Sequence, residues 1–142
     1  MGSVRLEVVT PEKKAFSGDV EIVIVRTRQG YEGFMAKHSW ACKLLGTGEL
    51  VIKEAGASGY RLAAASGGFI DVKDSITIFA ESIEWETDID KERAEEAGKL
   101  AEKWLAENKD TEDKDLISDY REAAARSANR LKVAAGGHIV KK

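Results

Sequence analysis

Cysteine, proline and histidine are almost missing from this 142-residue chain, which has one Cys, one Pro and two His. The lone Cys42 excludes an internal disulfide and any multi-cysteine metal site, and it fits a reducing compartment. A buried small hydrophobe is the role expected for it. His38 and His138 alone cannot supply the ligands of a histidine-based metal enzyme, so no metal site is expected. His38 falls in a loop and His138 in what reads as a frayed tail, where surface or packing roles outweigh catalysis. No glycine loop ends in Gly-Lys-Ser/Thr, which excludes a P-loop, and no serine sits in a glycine-flanked elbow of the hydrolase kind. A run of about eighteen apolar residues is also missing, and Met1-Gly2-Ser3-Val4-Arg5 has no apolar signal core. A cytosolic, non-catalytic chain that neither spans a membrane nor is exported is the expectation.

What the chain does have is a 43% hydrophobic content, enough for one proper core with a small second unit leaning on it. The net charge of -3 hides segregation. Residues 1 to 83 carry 10 basic and 10 acidic groups, residues 84 to 119 carry 6 and 14, and residues 120 to 142 carry 6 and 1. A uniformly basic nucleic-acid binder is therefore excluded. An acidic arm followed by a basic one predicts two helices that attract each other or seek different partners.

Val4-Arg5-Leu6-Glu7-Val8 alternates apolar and charged positions, as a strand with one face on a core does. Pro11 then turns the chain. Val20-Glu21-Ile22-Val23-Ile24-Val25 reads as a central strand covered on both sides. Short strands are predicted over 42–45, 49–54, 60–65, 69–72 and 75–80, with glycines supplying the turns between them. Ser66-Gly67-Gly68-Phe69 could cradle an anion through its amides, but two glycines between strands predict a hairpin turn.

The hydrophobic period changes from 2 to about 3.6 across the stretch Glu81 to Ala94. Beyond it, Asp88 or Asp90 can cap a first helix, whose apolar face carries Ala94, Ala97, Ala101, Trp104 and Leu105. Thr111 is a candidate cap for a second, striped by Ile117, Tyr120, Ala124, Ser127, Leu131 and Ala134 and closed by Gly136-Gly137. A short connector makes the pair an antiparallel hairpin. Its alanine-rich seam is weak, at about 0.8 kcal/mol per buried methyl, so the second helix is expected to peel away for a few kcal/mol. In the folded hairpin Arg93 would lie near Arg126 and Arg130. Three converging guanidinium groups suit a polyphosphate, with Asp90 accepting from an adenine amino group or a ribose hydroxyl. Interhelical salt bridges with nearby glutamates are the alternative, and by spacing alone the stronger one.

Taken in order, Val9-Thr10-Pro11, Phe16-Ser17-Gly18, Gly30-x-x-Gly33 with His38, Gly48-x-Leu50, Ser66-Gly67-Gly68-Phe69, Ile76 to Glu81 and Ile89-Asp90-x-x-Arg93-Ala94 carry a resemblance. The chain resembles the epsilon-subunit family of bacterial rotary (F-type) ATP synthases over nearly its whole length. The resemblance implies an α+β protein, with an N-terminal antiparallel β-sandwich of about ten strands over 1–86. A regulatory antiparallel two-helix hairpin with a short C-terminal tail then occupies 87–142. It implies a non-catalytic rotor subunit on the cytoplasmic face of the bacterial cell membrane, peripheral and not inserted. Its partners would be the gamma subunit and the c-ring, with the alpha and beta subunits reached by an extended hairpin that restrains ATP hydrolysis. No cofactor is required. ATP is implied as a regulatory ligand of the folded hairpin, at Glu84, Ile89, Asp90, Arg93, Ala94, Arg126 and Arg130. Tyr31, Glu32, Phe34 and His38 are implied at the ring, and Arg121, Arg126, Arg130 and Lys132 at the catalytic head. Ala36-Lys37-His38 departs from the family's usual Pro-Gly-His, and Leu100 stands where some nucleotide-binding relatives carry arginine. A free-standing cytosolic ATP sensor using the same hairpin is the competing expectation.

Overall fold

Alternation along the first strand does what period 2 demands. In the computed structural model, which describes residues 2–140, β1 (Val4–Val9) seals Leu6 and Val8 in the core and turns Arg5 to solvent. Thr10 closes the turn at Pro11 by backbone and side-chain bonds to Lys13. The next strand, β2 (Lys14–Thr27), runs for 14 residues and serves both layers of the sandwich. Its first half pairs with β1, placing Leu6 opposite Gly18 and Val8 opposite Phe16. Its second half pairs with β3 (Gly30–Phe34) on one side and β5 (Gly48–Glu54) on the other. A register shift between Val20 and Ile22 marks where the strand passes from one layer to the other.

The remaining strands are β4 (Ala41–Leu44), β6 (Arg61–Ser66), β7 (Phe69–Val72), β8 (Ile76–Phe79) and β9 (Ser82–Trp85). Hydrogen bonding links them in the order β4-β7-β8-β1-β2-β5-β6-β9, with β3 on β2. Every pairing is antiparallel except β1 with β8. The expected antiparallel sandwich is thus present, with nine strands among the described residues where about ten were predicted. Two predictions need correction. Ser66-Gly67-Gly68-Phe69 is no hairpin, because β6 and β7 are not paired; it carries the chain from one layer to the other. Gly68 takes φ 98°, and its carbonyl accepts from Leu45 N at 2.9 Å. Cys42 is exposed rather than buried, since β4 is an edge strand whose alternate residues Cys42 and Leu44 face outward.

A 3-10 turn at Glu86–Asp88 leads from β9 into α1 (Lys91–Glu107), which Asp90 caps by accepting from Arg93 N at 3.2 Å. The second helix, α2 (Lys114–Ala134), is capped by Asp113, with Thr111 supporting that turn rather than capping the helix. Ala94, Ala101 and Ser127 are buried along the seam, and a Cβ built at Gly98 would lie 3.3 Å from that of Ser127. At the loop end, Trp104 and Tyr120 stack with centroids 4.0 Å apart. Among the described residues no ion pair joins α1 to α2, so direct pairing of their opposite charges is not what holds them together.

Beyond its packed seam with α1, α2 is also anchored on the sandwich. The inner faces of β5 and β6 put Leu50, Ile52 and Ala63 into the main core, while Val51, Leu62 and Ala64 point the other way. Val133 covers them, flanked by Ile89, Ile139 and Val140, and a second small core results. β5 is therefore buried on both faces. Gly136 and Gly137, at φ 106° and 70°, end α2 and fold residues 138–140 back onto the sheet. This tail is docked, not frayed.

Candidate functional site

Between β6 and β9 on one side and the two helices on the other lies a cleft of about 280 Å³. That is near the lower limit of small-molecule pockets, roughly 300–1,000 Å³. β9 delivers Glu84, which pairs opposite Ala64 of β6 and so faces the helices. α2 delivers Arg126, Ser127, Asn129 and Arg130, residues that three- and four-residue helical spacing brings to one face. Ser66, Ser82 and Thr47 complete the polar wall.

Arg130 grips Glu84 with two parallel bonds, Nε to Oε2 and Nη2 to Oε1, both at 3.0 Å. Such a fork-to-carboxylate pair is stronger than a point contact, and both side chains are about two-thirds withdrawn from water. Arg126 approaches Glu122 of its own helix at 3.8 Å, in the open. Asn129 donates to the carbonyl of Gly48 at 2.9 Å, and the hydroxyls of Ser66 and Ser82 lie 2.6 Å apart. Two guanidinium groups against one carboxylate leave the cleft cationic, beside a row of hydroxyls. An anion entering it would compete with Glu84 for Arg130.

Of the residues predicted for a nucleotide, the fold brings Glu84, Arg126 and Arg130 together at this cleft. Ile89, Asp90, Arg93 and Ala94 do not line it. Asp90 is engaged as the cap of α1, Ala94 is buried in the hairpin seam, Ile89 packs on the second core and Arg93 is exposed. Sequence reading misses the wall of Thr47, Ser82 and Asn129; Ser66 is touched on only through the weaker, anion-cradling reading of Ser66-Gly67-Gly68-Phe69. Arg121 and Lys132 are exposed, while Arg130 is held by Glu84 in this folded form.

The four predicted ring residues lie close together around β3 and the loop after it. Phe34 needs correction: its side chain is 0% exposed and belongs to the main core, so it has no surface to offer in this conformation. It props His38 instead, whose ring lies 4.8 Å from its own, while His38 Nδ1 contacts the carbonyl of Ser39 at 2.6 Å. Tyr31 accepts from Glu49 N at 3.0 Å. Glu32 is bonded by Lys43 and Thr27, and Lys43 holds its carboxyl below the ordinary glutamate range, with Thr27 adding to the effect. The larger exposed surface is apolar. Trp40 is 68% exposed, and Leu44, Phe69 and Phe79 form a continuous row across β4, β7 and β8. The Phe69 and Phe79 rings stack with centroids 4.8 Å apart.

Among the described residues no group of three or more His, Cys, Asp and Glu side chains could hold a metal ion, and no helix is long and apolar enough to cross a membrane.

Comparison with known proteins agrees with this fold. Residues 3–86 match the family described as "ATP synthase, Delta/Epsilon chain, beta-sandwich domain". A protein of Caldicellulosiruptor bescii named "ATP synthase epsilon chain" is 38% identical over 135 residues, spanning 94% of this chain and 95% of that one. A Bacillus velezensis protein of the same name is 39% identical over 135 residues, spanning 94% and 98%. Among solved structures, a chain of the Euglena gracilis mitochondrial ATP synthase superposes with a TM-score of 0.78 at 20% identity. The match covers 95% of this chain and 82% of that one, and at such identity it speaks to the fold.

Proposed function

Because the chain belongs to the ATP synthase delta/epsilon family, as a subunit and not a catalyst, we propose that it works in the central stalk of a proton-translocating ATP synthase. There it couples rotation of the c-ring to the catalytic head, and its hairpin restrains ATP hydrolysis. The observation that carries this reading is relatedness along nearly the full chain, helices included, rather than over the sandwich alone.

The sandwich holds the gamma subunit and the ring. For gamma, the support is the exposed row Leu44, Phe69 and Phe79, an apolar surface of a kind that marks interfaces. For the ring, Tyr31, Glu32 and His38 stand at one end of the sandwich, and the complex sits peripherally on the cytoplasmic face of the membrane. In the extended state the hairpin presents Arg121, Arg126, Arg130 and Lys132 to the alpha and beta subunits. ATP is the regulatory ligand of the folded state and no cofactor is required. Its polyphosphate takes Arg130 from Glu84 and adds Arg126, and it stabilises the folded hairpin in proportion to the logarithm of its free concentration. Asp90, Arg93, Ile89 and Ala94 contribute by fixing the start of α1 beside the cleft.

Titration calorimetry of the full chain with ATP, for wild type, Arg126→Ala and Arg130→Ala, tests the ligand. Loss of affinity by about tenfold or more in each variant is expected. Equal affinity in all three would remove ATP from the cleft. The stalk assignment is tested separately by co-purification with gamma, which Phe79→Asp should abolish.

A further inference from the structure

We infer that residues 136–140 form a latch that holds the hairpin against the sandwich through the buried carboxylate of Glu49, independently of any nucleotide. Glu49 is 1% exposed, and burying a carboxylate is costly unless it is paired. The pairing comes from the tail. His138 N donates to Oε1 at 3.1 Å and Oε2 at 3.2 Å, and Ile139 N donates to Oε1 at 3.4 Å. His138 Nδ1 also contacts Oε2. Among the described residues that carboxylate has no other polar partner.

Two successive backbone amides closing on one anion form a nest, and the two preceding glycines make it possible. Gly136 and Gly137 lie at φ 106° and 70°, where side chains are strained. A Cβ on Gly137 would stand 2.3 Å from Glu49 Oε1 and 2.6 Å from Leu62 Cδ2. A side chain at Gly137 must therefore take up a strained φ and push the ends of Glu49 and Leu62 aside. Ile139 and Val140 then pack on the second core beside Val133, and the Tyr31 ring meets His138 edge-on at 5.7 Å.

The latch explains how an alanine-lined hairpin stays folded. Opening it returns Glu49 to water, and that rehydration offsets part of the cost of undocking and keeps the step reversible. The latch also adjoins the cleft, because Asn129 bonds the carbonyl of Gly48, the residue before Glu49. Release of the tail loosens the last turns of α2 first.

Amide hydrogen exchange of the full chain without nucleotide tests this, comparing wild type with Gly137→Ala and Glu49→Gln. In Gly137→Ala, exchange in residues 127–134 should accelerate at least about tenfold, the effect expected when hydrogen bonds to a charged group are broken. Amides of β1 and β8 should keep their wild-type rates. Glu49→Gln keeps the size and removes the charge, and an acceleration in the same segment is expected. If Glu49→Gln does not fold, Gly137→Ala decides alone, since it leaves the sandwich sequence intact. Unchanged exchange in α2, or acceleration by one common factor in α2, β1 and β8, would overturn the latch.

Discussion

The carboxylate of Glu32 accepts from Lys43 and from the hydroxyl of Thr27, and its pKa lies below the ordinary glutamate value for those two reasons in that order. A depressed carboxylate pKa favours the folded state whenever the group is ionised. The contribution is complete above the pKa of the unfolded chain and is lost as pH falls through the folded-state value. In Lys43→Met the titration of Glu32, followed by carbon NMR of its carboxyl, should move up toward ordinary glutamate. Thr27→Val should move it up by less. The stability gap between wild type and Lys43→Met, read from urea unfolding, should then narrow as the solution is acidified. A gap that stays constant into acid would show that Lys43 acts by packing alone. Glu21 offers a second case of the same sign, since the Lys53 ammonium holds its carboxyl down. Lys53 itself is raised, so that pair also weakens as pH rises through the folded-state lysine value.

At the scale of elements, the link between β6 and β7 is the most constrained place in the sandwich. Gly68 sits at φ 98°, and a Cβ there would stand 1.8 Å from the backbone carbonyl oxygen of Phe79. Backbone cannot step aside as a flexible side chain can. Gly68→Ala should therefore cost about 1–3 kcal/mol or more in chemical denaturation. Gly46→Ala, with nothing near its Cβ, should stay within about 0.5 kcal/mol of wild type. The same link shows where sequence reading stops. Two glycines between apolar runs announce a turn, but whether the next strand pairs with the last depends on interactions far along the chain. β1 is legible because its alternation is clean. The first half of β2 is not, since Lys14 and Ser17 are exposed and Gly18, on the core face opposite Leu6, adds no apolar side chain to the pattern. β9 is hidden because Ser82-Ile83-Glu84-Trp85 has a single apolar residue on each side of a charge, and only pairing with β6 makes it a strand. Cys42 is misplaced for a related reason: small apolar residues give no sign of which face of an edge strand they occupy.

For the whole molecule, the helices are legible and their attachment is not. Caps, stripes and the closing glycines predict an antiparallel hairpin, yet the alanine seam alone suggests a loosely held one. Glu49 carries no signal of its own in the sequence, and His138 only that of a tail, until the fold brings β5 and the tail together, 89 positions apart in sequence. The cleft is half legible in the same way, since helical spacing groups Arg126 with Arg130 but says nothing of the serines on β6 and β9. A folded state fastened at both the cleft and the tail must be undone before the hairpin can extend. Extension is what the proposed regulation requires. Gly98 and Ser127 allow this to be tested directly, because a Cβ at Gly98 would stand 3.3 Å from that of Ser127. Disulfides need roughly 3.5–4.5 Å between these atoms, a gap that a small shift of the two helices supplies. Gly98→Cys with Ser127→Cys, in a Cys42→Ser background to remove the exposed thiol, should form a reducible lock across the hairpin. Assembled into the synthase and oxidised, this variant should leave ATP hydrolysis uninhibited; reduction should restore the inhibition seen with the Cys42→Ser chain. Inhibition of equal strength in both redox states would mean that the folded hairpin itself restrains the enzyme, and that opening it has no part in the regulation.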